Sequence, residues 1–488
     1  RTLSLIIAGA SISIAGLTIQ NLMQNKFVSP NTTGTIDSAK LGIVFVMIFL
    51  PNASLFTRTA VAFAFAFIGT GLFLGAGDSI QKAGPAIVLV YIITGLFVFA
   101  MMRALGELLL SDHDQTTFIG FIKSYLGPRA GFVMGWTYWI GWIIIAMAEL
   151  TAIGKYMQFW LPTTPAWLWE LIFLGLLYTM NIIAVKAFGE TEFWFALIKI
   201  VAIIAMIVIG IVMVVFHVRT SAGVTQLSTL WSHGLIANHG HNLLAAFQMA
   251  FFAFLGVEFV GIAASETQNP IQTIPRSINA IIMRILIFYV GALLAIMLIQ
   301  PWTNYSANQS PFVQVFSKIG IPAAAGIINF VILTAAASSL NSALFTTGRM
   351  IFSLSPKTSR FAKLNKHYIP MNGITLSAGL VATAIVLNYI FPKDAFSLVT
   401  STASATFIVI YIALMVTHVK YRQSKNYQQS DKHFKMPFAP YLNYLTILFM
   451  LMIFGILLFS SATMITTLLA ISWFIVLAVI SVVKYKKV

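Results

Sequence analysis

Apolar runs long enough to cross a bilayer recur along the whole chain, separated by short polar connectors. A helix rising 1.5 Å per residue needs about 20 apolar residues to span the hydrocarbon layer. Such runs fall near 60–77, 85–110, 131–153, 167–185, 192–216, 243–264, 280–300, 321–346, 372–391, 397–418, 437–460 and 464–483. None alternates over roughly ten residues as a barrel strand would. The pattern predicts an all-α polytopic membrane protein with about twelve transmembrane helices and no soluble domain hanging from the bundle.

Residues 1–59 fit this frame poorly. Leu3–Ile19 is apolar but short and rich in Ser and Gly, and no small-residue cleavage site follows it as after a signal peptide. Thr32–Lys40 is polar. The segment reads as an atypical N-terminal extension without an assigned role. Because the chain starts at Arg1 rather than Met, its natural start is left open.

Composition agrees with the span count. Of 488 residues, 59% are hydrophobic and 9% charged, against roughly 25% charged in a soluble domain, which excludes an ordinary cytosolic enzyme. The absence of cysteine excludes a disulfide scaffold, an iron–sulfur protein and a thiolate zinc site. The formal charge of +16 is a topological signal. With the first span running outward, inner connectors hold eighteen Lys and Arg, among them Arg349, Lys420 and Lys484. Outer ones hold Lys82, Lys155, Arg219, Lys318 and Lys393. Basic residues stay on the cytoplasmic side, so both ends of the bundle are expected there, in the cell membrane, and nucleic acid is not an expected partner.

Glycines interrupt the opening helix of each of two five-span blocks, 60–216 and 243–418. The first reads Ile68-Gly69-Thr70-Gly71-Leu72-Phe73, the sixth span Phe252-Ala253-Phe254-Leu255-Gly256-Val257-Glu258. A backbone that leaves the helix frees N–H and C=O groups that lipid cannot satisfy. N–H groups at the positive end of a half-helix suit a carboxylate, and free carbonyls suit an ammonium, so the pair of breaks fits an amino acid zwitterion. Alternatively, Gly69, Gly71 and Gly256 serve only close helix packing. Ionisable groups at membrane depth are functional candidates: Glu149 in the third span, Lys199 in the fifth and Glu258 in the sixth. Lys199 reads as a group that gains and loses a proton, or as half of a fixed ion pair with Glu149 or Glu258. Arg103 and Glu107, four apart, read as an i,i+4 pair or a gate contact.

At these residues the chain resembles bacterial amino acid permeases of the amino acid–polyamine–organocation superfamily. The likeness is carried by Ile68–Phe73, Arg103-Ala104-Leu105-Gly106-Glu107-Leu108, Gly135-Trp136-Thr137-Tyr138-Trp139, Phe188–Phe195, Phe254–Glu258 and Ser338-Ser339-Leu340-Asn341-Ser342. It runs from about Ile68 to the C-terminus. Phe188–Val214 and the His217–Trp231 connector look most like D-serine/D-alanine/glycine transporters. The resemblance implies a LeuT-type fold of two inverted five-helix repeats, here 60–220 and 242–418, with two further helices in 435–486, and proton symport. It implies that the Ile68–Gly71 backbone (Ile68, Gly69, Thr70, Gly71) holds the substrate carboxylate and that carbonyls around Phe252, Ala253 and Phe254 receive its ammonium. Lys199 matches the lysine that stands where sodium sits in sodium-coupled relatives, Ser338 and Ser339 line that region, and Glu258 is a second protonatable or gating group. The chain departs from the family at Ala62-Phe63-Ala64-Phe65-Ala66-Phe67, where a glycine pair is usual. An altered reading frame, a wrong start or a divergent, inactive paralogue would each explain that stretch.

A transporter needs neither a nucleotide loop nor catalytic groups, and no Gly-rich loop ending in Gly-Lys-Ser/Thr occurs. All eight histidines fall in connectors or at span ends. His239-Gly240-His241 reads as solvated outer loop rather than a metal site. Rings of charge or repeated filter loops, which a channel would show, are not seen. No cofactor or metal is expected. The expected partners are a small amino acid, a proton and the bilayer, or an amino acid of another class.

Overall fold

A computed structural model describes residues 70–112, 115, 117–183, 201–221, 223–240, 242–259, 270–307, 309–319, 322–365, 369–429 and 434–485. Among these, eight stretches are long and apolar enough to cross a membrane, and two shorter apolar helices accompany them. The chain is polytopic and all-α, and among the described residues the only strands are a two-residue pair, Arg219–Thr220 against Gly223–Val224.

The first described helix, α1 (Thr70–Phe73), leads through Leu74 into α2 (Gly75–Ala83). The helical path thus runs six residues past the sequence-predicted end of the first span at 77. A 3₁₀ turn at Gly84–Ala86 separates it from α3 (Ile87–Ser111). The short amphipathic α4 (Phe118–Leu126), which apolar run length did not predict, precedes α5 (Pro128–Met157). Pro128 starts α5 because its missing N–H would have no partner in a first turn anyway. Then come α6 (Ala166–Ile183), α7 (Val201–Val215) and α8 (Ala246–Ala253).

The next span opens ten residues earlier than the predicted 280, at α9 (Pro270–Arg284). The polar residues of its first turns hide it from a hydropathy reading. A π-helical segment, Ile285–Gly291, joins α9 to α10 (Ala292–Ile299). The remainder comprises α11 (Pro311–Lys318), α12 (Pro322–Leu354), α13 (Met371–Val381), α14 (Thr383–Ile390), α15 (Ala395–Arg422), α16 (Lys425–Gln429), α17 (Tyr441–Phe459) and α18 (Met464–Lys484).

Burial sorts these helices into centre and rim. In α15, 72% of the apolar window lies inside the protein; in α18 only 28% does. The rim helices present Leu448, Leu451, Ile475 and Val479 outward, which lipid tails solvate as well as a protein core would. The centre is formed by α5 packed on α12 and α15, with α1 and α8 set among them.

One expected contact is corrected. Arg103 and Glu107 share α3 but do not pair with each other. Glu107 accepts from Arg422 at 2.9 and 2.8 Å and from the Met436 amide at 2.6 Å, with His418 Nε2 3.2 Å away. Arg103 instead donates to Asn279 Oδ1 (3.2 Å) and to the Lys435 carbonyl, with its guanidinium 3.8 Å from the Phe434 ring. Local i,i+4 attraction is worth only a few tenths of a kcal/mol, and a bidentate arginine from another helix outcompetes it.

Candidate functional site

Gly71 meets the helix that carries the second interruption. A Cβ built on Gly71 would lie 2.6 Å from the Ala253 Cα and 3.0 Å from its amide nitrogen, so only glycine lets α1 and the end of α8 touch backbone to backbone. Past Ala253 the i→i−4 ladder stops. Phe254, Leu255 and Val257 donate instead to the carbonyls three residues back, Phe251, Phe252 and Phe254, at 3.0, 3.0 and 3.4 Å. Gly256 turns the chain at φ +89°, a conformation that costs an L side chain about 1 kcal/mol or more. Helical backbone resumes at Glu258–Phe259.

The shift to three-residue turns takes the Val257 amide away from Ala253, whose carbonyl accepts from the Tyr289 hydroxyl at 2.8 Å instead. The Tyr289 ring lies 4.6 Å from Phe254, and Tyr91 packs behind it at 5.7 Å. Among the described residues, each expected ammonium acceptor, at Phe252, Ala253 and Phe254, thus has one protein donor. A carbonyl has two lone pairs, which leaves one on each for a ligand.

Of the three ionisable groups predicted at membrane depth, the two carboxylates stand at the start of α1 and at the second break. Glu149 on α5 is buried, and its Oε1 faces the Thr70 amide at 3.4 Å, the first described N–H of α1. Thr70 Oγ1 is buried with no hydrogen-bond partner among the described residues. Glu258, fully buried, accepts from the Tyr138 hydroxyl at 3.1 Å and from the Tyr411 hydroxyl at 2.6 Å. The backbone of Gly256 and Glu258 also lies against this carboxylate. Ser338 is buried and Ser339 half-buried on α12, which packs on α1. Ile68, Gly69 and Lys199 lie outside the described residues, as do 1–59 and the Phe/Ala stretch 62–67.

Residue patterns did not reveal the tyrosines. Tyr138 belongs to the Gly135–Trp139 motif, yet nothing in its spacing ties it to Glu258, 120 residues away. Tyr411 and Tyr289 lie in apolar runs that read as core. Nor do the described residues contain a cluster of three or more His, Asp or Glu able to hold a metal ion.

A site of this shape offers peptide groups, aromatic walls and two buried carboxylates. These groups suit a small dipolar solute. The amino acid permease family model matches residues 64–487. The chain is 47% identical over 424 residues to the amino-acid permease AapA of Bacillus subtilis, covering 86% of this chain and 92% of that protein. It is 41% identical over 417 residues to the D-serine/D-alanine/glycine transporter of Escherichia coli K12 (84% and 89% covered). It is also 41% identical over 436 residues to the serine permease SerP1 of Lactococcus lactis (86% and 94%).

Proposed function

The chain belongs to the amino acid permease family, an integral membrane transporter and not an enzyme, and from there we propose that it carries small neutral amino acids inward with a proton. Glycine, D-alanine and D-serine are the proposed substrates. The observation that carries this reading is the backbone contact of Gly71 with Ala253, which sets the start of α1 beside the second helix break. A zwitterion lodged there presents its carboxylate to the amide end of α1 and its ammonium to the second lone pairs of the Phe252, Ala253 and Phe254 carbonyls.

Coupling follows from what already sits at the Thr70 amide. Glu149 occupies it at 3.4 Å, and a substrate carboxylate arriving there meets a second negative charge. Two carboxylates at one donor repel unless one carries a proton, so substrate and proton bind together. Glu258, bridging Tyr138 and Tyr411, joins the second break to α5 and α15 and serves as the other protonatable group. Lys199 is the proposed switchable positive charge, and Ser338 with Ser339 contributes to proton coupling. The five-helix blocks 60–220 and 242–418 alternate access around this site, while 435–486 adds two outer helices. The excess of Lys and Arg in one set of connectors supports a twelve-helix bundle with both ends in the cytoplasm of the cell.

In proteoliposomes, Lys199→Met abolishes the acceleration of uptake by an inward proton gradient and leaves slow, gradient-independent exchange. Unchanged gradient dependence would remove lysine from the coupling role. Selectivity is read from competition against labelled D-alanine uptake. Glycine and both enantiomers of alanine and serine compete, whereas leucine, phenylalanine and lysine do not, because larger side chains would overpack a pocket walled by Phe254 and its aromatic neighbours, at about 1–3 kcal/mol. The likeness to a serine permease favours one alternative, serine rather than glycine or alanine as the main substrate, and the same panel separates the two. Equal competition by large or basic amino acids would sink both.

A further inference from the structure

We propose that Tyr289 is a positioning residue that holds the second helix break in its binding-competent shape, and that the π-helical segment Ile285–Gly291 exists to turn it inward. This rests on the reading above that the break receives substrate. Of the carbonyls from Phe251 to Phe254, three find a backbone N–H three residues on, and Ala253 alone takes its described donor from a side chain, 36 residues away in sequence. An unmet carbonyl in a dry interior is costly, so the hydroxyl favours the broken arrangement over an α-helical one in which the Val257 amide would take its place.

The π segment supplies the direction. An extra residue in a turn rotates everything after it around the helix axis, and such bulges concentrate at functional sites. Tyr289 lies inside the segment and is 1% exposed. Its neighbours fix the register. A Cβ on Gly95 of α3 would lie 2.8 Å from the Ile285 side chain, and one turn earlier Tyr91 meets the Tyr289 ring at 5.7 Å. The face of α3 thus locks the segment at two points four residues apart, and the Tyr289 ring stacks on Phe254 at 4.6 Å while its hydroxyl reaches the residue before.

The test compares Tyr289→Phe with Tyr91→Phe in purified protein. Both keep the aromatic stack. Only the first removes a bonded hydroxyl, since the Tyr91 hydroxyl is buried with no partner among the described residues. Tyr289→Phe slows hydrogen exchange of the Val257 amide about tenfold, with or without substrate, because that amide regains the Ala253 carbonyl, and Tyr91→Phe does not. In transport, Tyr289→Phe raises KM about tenfold with kcat within twofold, because a smaller fraction of molecules holds the competent break. Wild-type exchange and KM in Tyr289→Phe would overturn the proposal. Should that variant fail to reach the membrane, Tyr289→His, which retains an N–H donor, exchanges closer to wild type than Tyr289→Leu, and equal exchange in the two would be equally fatal. A wild-type protein that takes up none of the tested amino acids would defeat the proposed function, while the exchange comparison would still judge Tyr289.

Discussion

Replacing Gly71 by valine abolishes amino acid uptake while leaving the protein in the membrane. The Cβ of any side chain there would lie 2.6 Å from the Ala253 Cα and 3.0 Å from its nitrogen. Both are backbone atoms of a packed helix end, with no rotamer to swing aside. Either α1 moves off α8 by an ångström or more, or the break at Phe254–Gly256 reshapes, and both separate the two halves of the site. Alanine already imposes the clash, so Gly71→Ala is expected to lower initial uptake at least tenfold, in keeping with about 1–3 kcal/mol for overpacking. Gly175→Ala on α6 is the matched control, since nothing lies within 4 Å of its Cβ. Uptake is normalised to the amount of inserted protein by quantitative blotting. Wild-type uptake by Gly71→Ala would mean that α1 and the second break need not touch.

The second large effect falls on stability rather than transport. Glu107 is 4% exposed and takes four contacts at once: both donors of Arg422, the Met436 amide and His418. Arg422 also donates to the Met436 carbonyl at 2.8 Å. The cluster ties α3 to the end of α15 and to the segment leading into α17. Glu107→Gln leaves the arginine without its counter-charge, and breaking one half of a buried pair costs about 3–5 kcal/mol. The expected outcome is a large loss of monodisperse protein after mild heating in detergent. The double variant Glu107→Met with Arg422→Met recovers most of that loss, because an apolar pair carries no desolvation penalty. Single variants as heat-resistant as wild type would show the cluster to be worth no more than an exposed ion pair.

The corrected partner of Glu107 shows where sequence reading runs out. Spacing of four along a helix gives Arg103 and Glu107 adjacent positions, and nothing local reveals that a guanidinium 315 residues away fits the carboxylate better. The same limit hid Tyr411 and Tyr289, which sit in apolar runs and declare their hydroxyls only where another helix brings an acceptor. Helix ends were misjudged for a different reason. The polar turns at Pro270–Arg284 and the amphipathic α4 are helical without being uniformly apolar, so a reading by run length starts one late and passes over the other.

By contrast, the membrane class, the helical nature of the spans and the family followed from residue order alone. A bilayer offers no hydrogen bonds, so any crossing segment must be long, apolar and internally bonded, and those demands are written in consecutive residues. Gly71, Gly256, Glu149 and Glu258 stood out as candidates in the same way, since glycine and buried charge inside such a run conflict with it locally. Which atoms those residues meet was settled by folding: Gly71 against Ala253, Glu149 at the Thr70 amide, Glu258 between two tyrosines. Those contacts join segments scores of residues apart, and packing geometry, rather than any short stretch of sequence, sets their distances.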